Sequence, residues 1–197
     1  MDDIATRDSK RDARRRMRSL RNAISPDDHA TASAAICNNL LKYLAMASLP
    51  GSACIGLFSP VQSEVNVALL EAPLRARGCR LALPVTVGAT GMIFRLWEEG
   101  AGLVDAGYGT VGPDVSAPEL LPDCLLMPLL AFDSRCNRLG YGAGHYDRYI
   151  SERIIQNSRP HLVGLAFALQ KLDKIPVGEY DLPLDAILTE KEIVVPA

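Results

Sequence analysis

"CLLMPLLAFDSRCNRLGYGAGHYDRYI", Cys124 to Ile150, carries an apolar run, a glycine loop and the start of a helix in one stretch. The run Cys124–Phe132 is apolar nearly throughout rather than alternating, which suits a strand covered on both faces. A helix is expected from near His145, through "HYDRYISERIIQN". Three other runs share the character of the first: "ACIGLF" (Ala53–Phe58), "CRLALPVTV" (Cys79–Val87) and "HLVGLAFA" (His161–Ala168). "EVNVALLEAPLRARG" lies between the first two of these and reads as helical despite Pro73, "MIFRLW" (Met92–Trp97) reads as a further strand, and "AILTE" as a last short one. Strands alternating with helices imply an α/β fold, with a mainly parallel sheet in three layers. No internal repeat, low-complexity segment or linker divides the chain, and 197 residues suit one domain with a substantial core.

The N-terminus differs from the rest in charge. Its first 22 residues hold eight of the 21 Lys and Arg residues. A helix from about Asp8 to Ala23 places Ala13, Met17 and Leu20 on an apolar stripe that should anchor it, with Lys10, Arg14, Arg18 and Arg21 on a second stripe beside it. Arg11, Arg15 and Arg16 read as a solvated face. Ser25 is expected to cap a second helix that has Pro26 at its first position, Asp27 and Asp28 in its first turn, and an end near Met46.

Composition excludes several classes. The 48% apolar and 22% charged content is that of an ordinary globular protein, and a net charge of −2 argues against a general nucleic-acid or membrane-surface binder. No apolar run reaches the roughly 18 residues needed to span a bilayer, and no secretory signal is apparent. The five cysteines, Cys37, Cys54, Cys79, Cys124 and Cys136, form no C-x-x-C pair, so reduced thiols in a cytoplasmic protein are expected.

The glycine loop offers a chemistry. Gly140, Gly142 and Gly144 let backbone N–H groups turn towards an anion, and the following helix N-terminus adds positive potential. Arg138 supplies a fixed cation, and Asp147 an oxygen ligand for a hard metal accompanying phosphate. These residues read as a polyphosphate cradle with a magnesium ligand, or as a tight glycine-rich turn with a surface aspartate. The spacing matches neither the Rossmann fingerprint G-x-G-x-x-G nor the P-loop.

The stretch "PLLAFDSRCNRLGYGAGHYDRYI" resembles the signature of the 5-formyltetrahydrofolate cyclo-ligase (5,10-methenyltetrahydrofolate synthetase) family, approximately P-x-x-A-F-D-x-x-G-x-R-L-G-x-G-x-G-Y-Y-D. The similarity extends to a basic N-terminal K-x-x-x-R (Lys10, Arg14), to Ser63-Glu64-Val65, to a tryptophan after the "FRLW" strand and to "PLDAILTE". Cys136 stands where the signature has Gly, Ala143 falls among the glycines, His145 replaces the first Tyr, and Asn66 takes a usually acidic position.

The resemblance implies a single cyclo-ligase domain over residues 1–197, with a Rossmann-like α/β/α architecture of the kind seen in sugar-phosphate isomerase and CoA-transferase-like folds. Its N-terminal basic helix contributes to the nucleotide site. The implied reaction converts 5-formyltetrahydrofolate and ATP to 5,10-methenyltetrahydrofolate, ADP and phosphate, with Mg2+ as cofactor, in a monomeric cytoplasmic protein whose substrate carries one or more glutamates. On that reading Arg138 and Asp147 are catalytic. Lys10, Arg14, Arg138, Leu139, Gly140, Tyr141, Gly142, Ala143, Gly144 and Tyr146 bind ATP. Phe58, Glu64, Trp97, His145 and Tyr146 bind the folate, and Asp147 and Asp185 hold the metal. Read from the residues alone, Glu64 is instead an acid in the first turn of a helix capped by Ser63. An RNA-binding basic arm, or a sugar-phosphate isomerase or acyl-CoA transferase relative, accounts less well for Arg138 to Asp147.

Overall fold

A computed structural model describes residues 4–47, 49–88, 90–178 and 181–196. Two helices open the chain, α1 (Ile4–Asn22) and α2 (Pro26–Met46). Ser25 caps α2 as its sequence predicts: the Asp28 N–H donates to Ser25 Oγ at 3.2 Å, and Pro26 takes a first-turn position that needs no N–H. A short helix α3 (Glu71–Ala76) and a later helix α4 (His145–Ile155) complete the α-helices. The strands are β1 (Cys54–Gly56), β2 (Arg80–Val87), β3 (Gly91–Leu96), β4 (Val104–Gly107), β5 (Thr110–Gly112), β6 (Glu119–Leu120), β7 (Cys124–Pro128), β8 (Ala131–Phe132), β9 (Arg138–Leu139), β10 (His161–Leu165), β11 (Ala186–Leu188) and β12 (Ile193–Val194).

The main sheet runs β12-β11-β10-β7-β1-β2-β3-β6. Its five central strands, β11 to β2, are mutually parallel, with β12 antiparallel to β11 at one edge and, at the other, β3 antiparallel to β2 and β6 antiparallel to β3. Successive residues of the central strands face opposite layers. Ile55, Leu81, Leu126 and Val163 pack with Ile36, Leu40 and Leu74 of α2 and α3. Cys54, Ala82, Leu125 and Leu162 pack with Tyr149 and Ile150 of α4. Covering both faces in this way requires strands that are apolar throughout, as the sequence has them. Among the described residues, no helix is long and apolar enough to cross a membrane.

Local chemistry redraws three boundaries. The run Cys124–Phe132 is two strands, because the chain leaves the sheet after Pro128 and β8 pairs with β9 in a separate hairpin. The segment before β2 is a 3-10 turn (Val67–Leu70) followed by α3, and Pro73 is tolerated because it falls in the first turn of α3. The cap of that segment is Asn66, whose Oδ1 accepts from the Ala68 N–H at 3.2 Å, so Ser63 is no helix cap. The hairpin β4–β5 and the short edge strands β6 and β12 are additions to the sequence reading.

The apolar stripe expected on α1 is also corrected. Met17 is buried with Leu130, Ala131, Leu139 and Ile175, but Leu20 is 44% exposed while Arg21 is only 1% exposed. The face that packs inward is the one carrying Lys10, Arg14, Met17 and Arg21, because Asp181, the Gly140 carbonyl and Ser63 give its cations hydrogen-bond partners beside the core. Met17→Ala is therefore expected to cost about 2–5 kcal/mol of stability, and Leu20→Ala no more than about 0.5 kcal/mol. Urea unfolding of the two variants measures the difference. Equal losses would place the docking face of α1 elsewhere.

Candidate active site

The two halves of the sheet depart in opposite directions from β1 and β7: β1 leads through α3 to β2, and β7 through α4 to β10. Such a reversal leaves a crevice beyond the carboxyl ends of the strands. A cavity of ≈ 950 Å³ occupies it, walled by Phe58 after β1, by Met127 and Pro128 at the end of β7, by the loop 138–148 and by Lys10 and Arg14 of α1.

The cations arrive already paired. Arg138, on β9, is buried and donates through Nη2 to Asp147 Oδ1 at 2.6 Å. Lys10 Nζ meets Asp181 Oδ2 at 2.7 Å, and Arg14 Nε donates to the Gly140 carbonyl at 2.9 Å. Arg148 closes the far side of the loop by donating to the Ala143 carbonyl at 2.7 Å. Gly142 has φ 101°, and a Cβ there would stand 3.4 Å from the Arg14 guanidinium carbon. Gly144, with φ 71°, starts α4 in the left-handed region. Side chains at these two positions would be strained, and the one at Gly144 would also press on a cation, its Cβ standing 3.0 Å from Arg148 Nη1. The hairpin turn before Arg138 tolerates strain differently: Cys136 holds φ 58° where the family signature has Gly. Burial pushes the Cys136 thiol up to about 11, so it is unsuited to act as a nucleophile.

Glu64 forms the opposite wall. Its carboxylate accepts from the Tyr141 hydroxyl and, at 2.8 Å, from the Val61 N–H. Burial raises its pKa, and these two donors with the nearby Arg21 charge oppose the rise without cancelling it. Phe58 is buried beside it, and Leu139, Tyr146 and His145 also line the cavity. The His145 Nδ1 lies 3.1 Å from the Thr90 carbonyl.

Two expected residues lie elsewhere. Trp97 follows β3, which runs antiparallel to β2, so it emerges at the amino end of the parallel strands. There its ring packs against the core and carries Arg75 5.4 Å above it. Asp185 precedes β11 and is likewise at the amino end, opposite Asp147. Its oxygens are engaged by Arg159 Nη1 and Nη2, both at 2.9 Å, and by the Leu162 N–H at 2.7 Å, with His161 Nδ1 at 3.3 Å. Burial alone would raise its pKa, but hydrogen bonds from His161 and Arg159 hold it well below the usual carboxylate range. It is held in an ion pair at the end of the sheet away from Asp147. Among the described residues, no three His, Cys, Asp or Glu side chains group to hold a metal by themselves.

The cavity also contains residues the sequence reading passed over. Tyr108 sits at the tip of the β4–β5 hairpin with φ 56°, its ring 5.2 Å from that of His145. "GYG" at 107–109 is a turn signal that would have located the hairpin, though not its reach across the cavity. Met92 and Asp181 had no local signal at all.

Residues 6–190 match the model of the 5-formyltetrahydrofolate cyclo-ligase family. The 5-formyltetrahydrofolate cyclo-ligase of Escherichia coli K12 is 31% identical over 145 residues, which is 71% of this chain and 79% of that protein. The Haemophilus influenzae cyclo-ligase is 31% identical over 140 residues, 68% of this chain and 74% of that one. Two solved structures are similar throughout. The 5,10-methenyltetrahydrofolate synthetase of Mycoplasma pneumoniae has 25% identity and a TM-score of 0.73, over 92% of this chain and 98% of its own. That of Aquifex aeolicus has 26% identity and a TM-score of 0.76, over 94% and 92%.

Proposed function

The chain is an enzyme that belongs to the 5-formyltetrahydrofolate cyclo-ligase family, and from that premise we propose that it closes 5-formyltetrahydrofolate to 5,10-methenyltetrahydrofolate at the expense of ATP, releasing ADP and phosphate. The observation that carries the reading is one cavity with a cationic glycine loop on one wall and a buried acceptor carboxylate on the other.

The chemistry needs both walls. A formamide oxygen is a poor leaving group, so nitrogen-10 cannot displace it directly. Transfer of the γ-phosphoryl group to that oxygen releases ADP. Nitrogen-10 then attacks the formyl carbon and loses its proton, and phosphate departs with the former formyl oxygen. Such a route asks the protein for positioning and charge stabilisation rather than a covalent intermediate.

Arg138, Lys10, Arg14 and the N–H groups of residues 140–144 would hold the phosphates. Asp181 and Asp147 keep the lysine and arginine aimed until the phosphates arrive. Asp147 suits a magnesium ion that comes with ATP, because such an ion takes one or two carboxylates and fills its remaining positions from phosphate and water. That ion would neutralise charge on the polyphosphate. Glu64 would accept hydrogen bonds from the pterin, with Phe58, Tyr146, His145 and Tyr108 as apolar and aromatic walls. The cysteines, free among the described residues, support a reducing cytoplasm.

Mixing the protein with ATP, magnesium and 5-formyltetrahydrofolate should produce the near-ultraviolet absorbance of the methenyl product, with one ADP for each product formed. Methenyl formation at the same rate without nucleotide would refute the ATP-dependent route.

A further inference from the structure

The family resemblance gives Tyr141 to the nucleotide site as part of the glycine loop. Its side chain goes elsewhere. The phenol lines the cavity and donates to Glu64 Oε1, leaving Oε2 to the Val61 N–H at 2.8 Å. Glu64 is 4% exposed, so these donors decide where its carboxylate points. The Tyr141 ring is itself held in place, with the Arg21 guanidinium 5.8 Å and the Arg18 guanidinium 5.9 Å from its centroid. Arg21 is fixed in turn, donating through Nε to Ser63 Oγ at 3.0 Å.

We infer that Tyr141 is a positioning residue for folate recognition: its phenol fixes the direction and the ionised state of the Glu64 carboxylate that receives the pterin donors. The inference rests on the cyclo-ligase reading of the cavity. A carboxylate taken out of water tends to keep its proton, and a protonated acid offers the pterin one acceptor fewer. Burial raises the Glu64 pKa, and the Tyr141 hydroxyl is the first of the groups opposing it. The other groups facing Glu64 are Arg21 from α1, Tyr146 from α4, and His29 from α2, whose Nε2 lies 2.9 Å from the Glu64 carbonyl. All three remain in a Tyr141→Phe variant, so a difference between the two proteins isolates the phenol oxygen. Phenylalanine also keeps the ring and hence the burial.

The test is steady-state methenyl formation by wild type and Tyr141→Phe across pH, varying each substrate in turn. Losing one hydrogen bond to a charged acceptor should raise KM for 5-formyltetrahydrofolate about 10-fold. KM for ATP and kcat should stay within about 2-fold, since uniform binding of the other substrate is untouched. The acid limb of kcat/KM for the folate should move to higher pH, because Glu64 loses a donor to its ionised form. A variant with a raised KM for ATP and an unmoved folate limb would return Tyr141 to the nucleotide and overturn the inference. Kinetics identical to wild type would overturn it as well. Absence of product from the wild-type protein is a separate result, which removes the cyclo-ligase reading and this inference with it.

Discussion

Arg138→Ala is expected to lower kcat/KM for ATP by on the order of 100-fold, because a guanidinium can make two charge-assisted hydrogen bonds to phosphate, each worth roughly 1.5–3 kcal/mol. Two features of the site make the effect large. The side chain is held at 6% exposure, so solvent cannot replace it. Its removal also leaves Asp147 without the 2.6 Å partner that balances its charge beside the incoming triphosphate. The same ion pair predicts a loss of stability, since removing one member of a largely buried pair strands the other. Activity and stability are separable by Arg138→Lys, which keeps the charge but lacks the planar fork. That variant should recover much of the thermal stability and only part of kcat/KM. Steady-state kinetics at saturating magnesium, with Tm measured on the same preparations, decides the matter. Normal kinetics for Arg138→Ala would mean that the phosphates lie elsewhere in the cavity.

Asp133→Ala should destabilise the protein by about 3–5 kcal/mol, since it strands four buried or half-buried donors at once. The Asp133 carboxylate accepts from the N–H groups of Arg135 at 2.9 Å, Asn137 at 3.1 Å and Ile175 at 3.0 Å, and from the Asn137 side chain at 3.0 Å. It thereby closes the β8–β9 turn and ties it to the loop that carries Ile175. Burial alone would raise its pKa, but these hydrogen bonds outweigh burial and hold it below the usual value. A carboxyl with a depressed folded-state pKa contributes stability that is fully present above its unfolded pKa of about 3.9 and is lost as pH falls through the lower folded value. Urea unfolding should therefore show the gap between wild type and variant wide at neutral pH and narrowing only in strong acid. A gap independent of pH would mean that Asp133 acts through its shape rather than its charge. Because β9 presents Arg138, the variant should also lose activity near neutral pH at temperatures where it remains folded.

The sequence by itself determined the features governed by neighbours along the chain. Ser25 followed by Pro26 caps α2 whatever surrounds it. Continuous apolar runs such as "HLVGLAFA" needed cover on both faces. The close glycines after β9 permit positive φ, which Gly142 and Gly144 adopt beside Arg138. The tertiary structure alone decided which chain segments share one end of the sheet. Trp97 and Asp185 carried local motifs as good as that of Glu64. The antiparallel direction of β3 and the place of Asp185 ahead of β11 nonetheless send both to the amino ends, away from the cavity. Tyr141 reads as loop backbone, and only the approach of the 61–64 segment gives its hydroxyl an acceptor. The exchange of Leu20 for Arg21 on the inner face of α1 has the same origin. Hydrophobic periodicity reports which face avoids water, and a docked helix buries the cations that find hydrogen-bond partners in the rest of the fold, a choice made by residues about 40 to 170 positions distant.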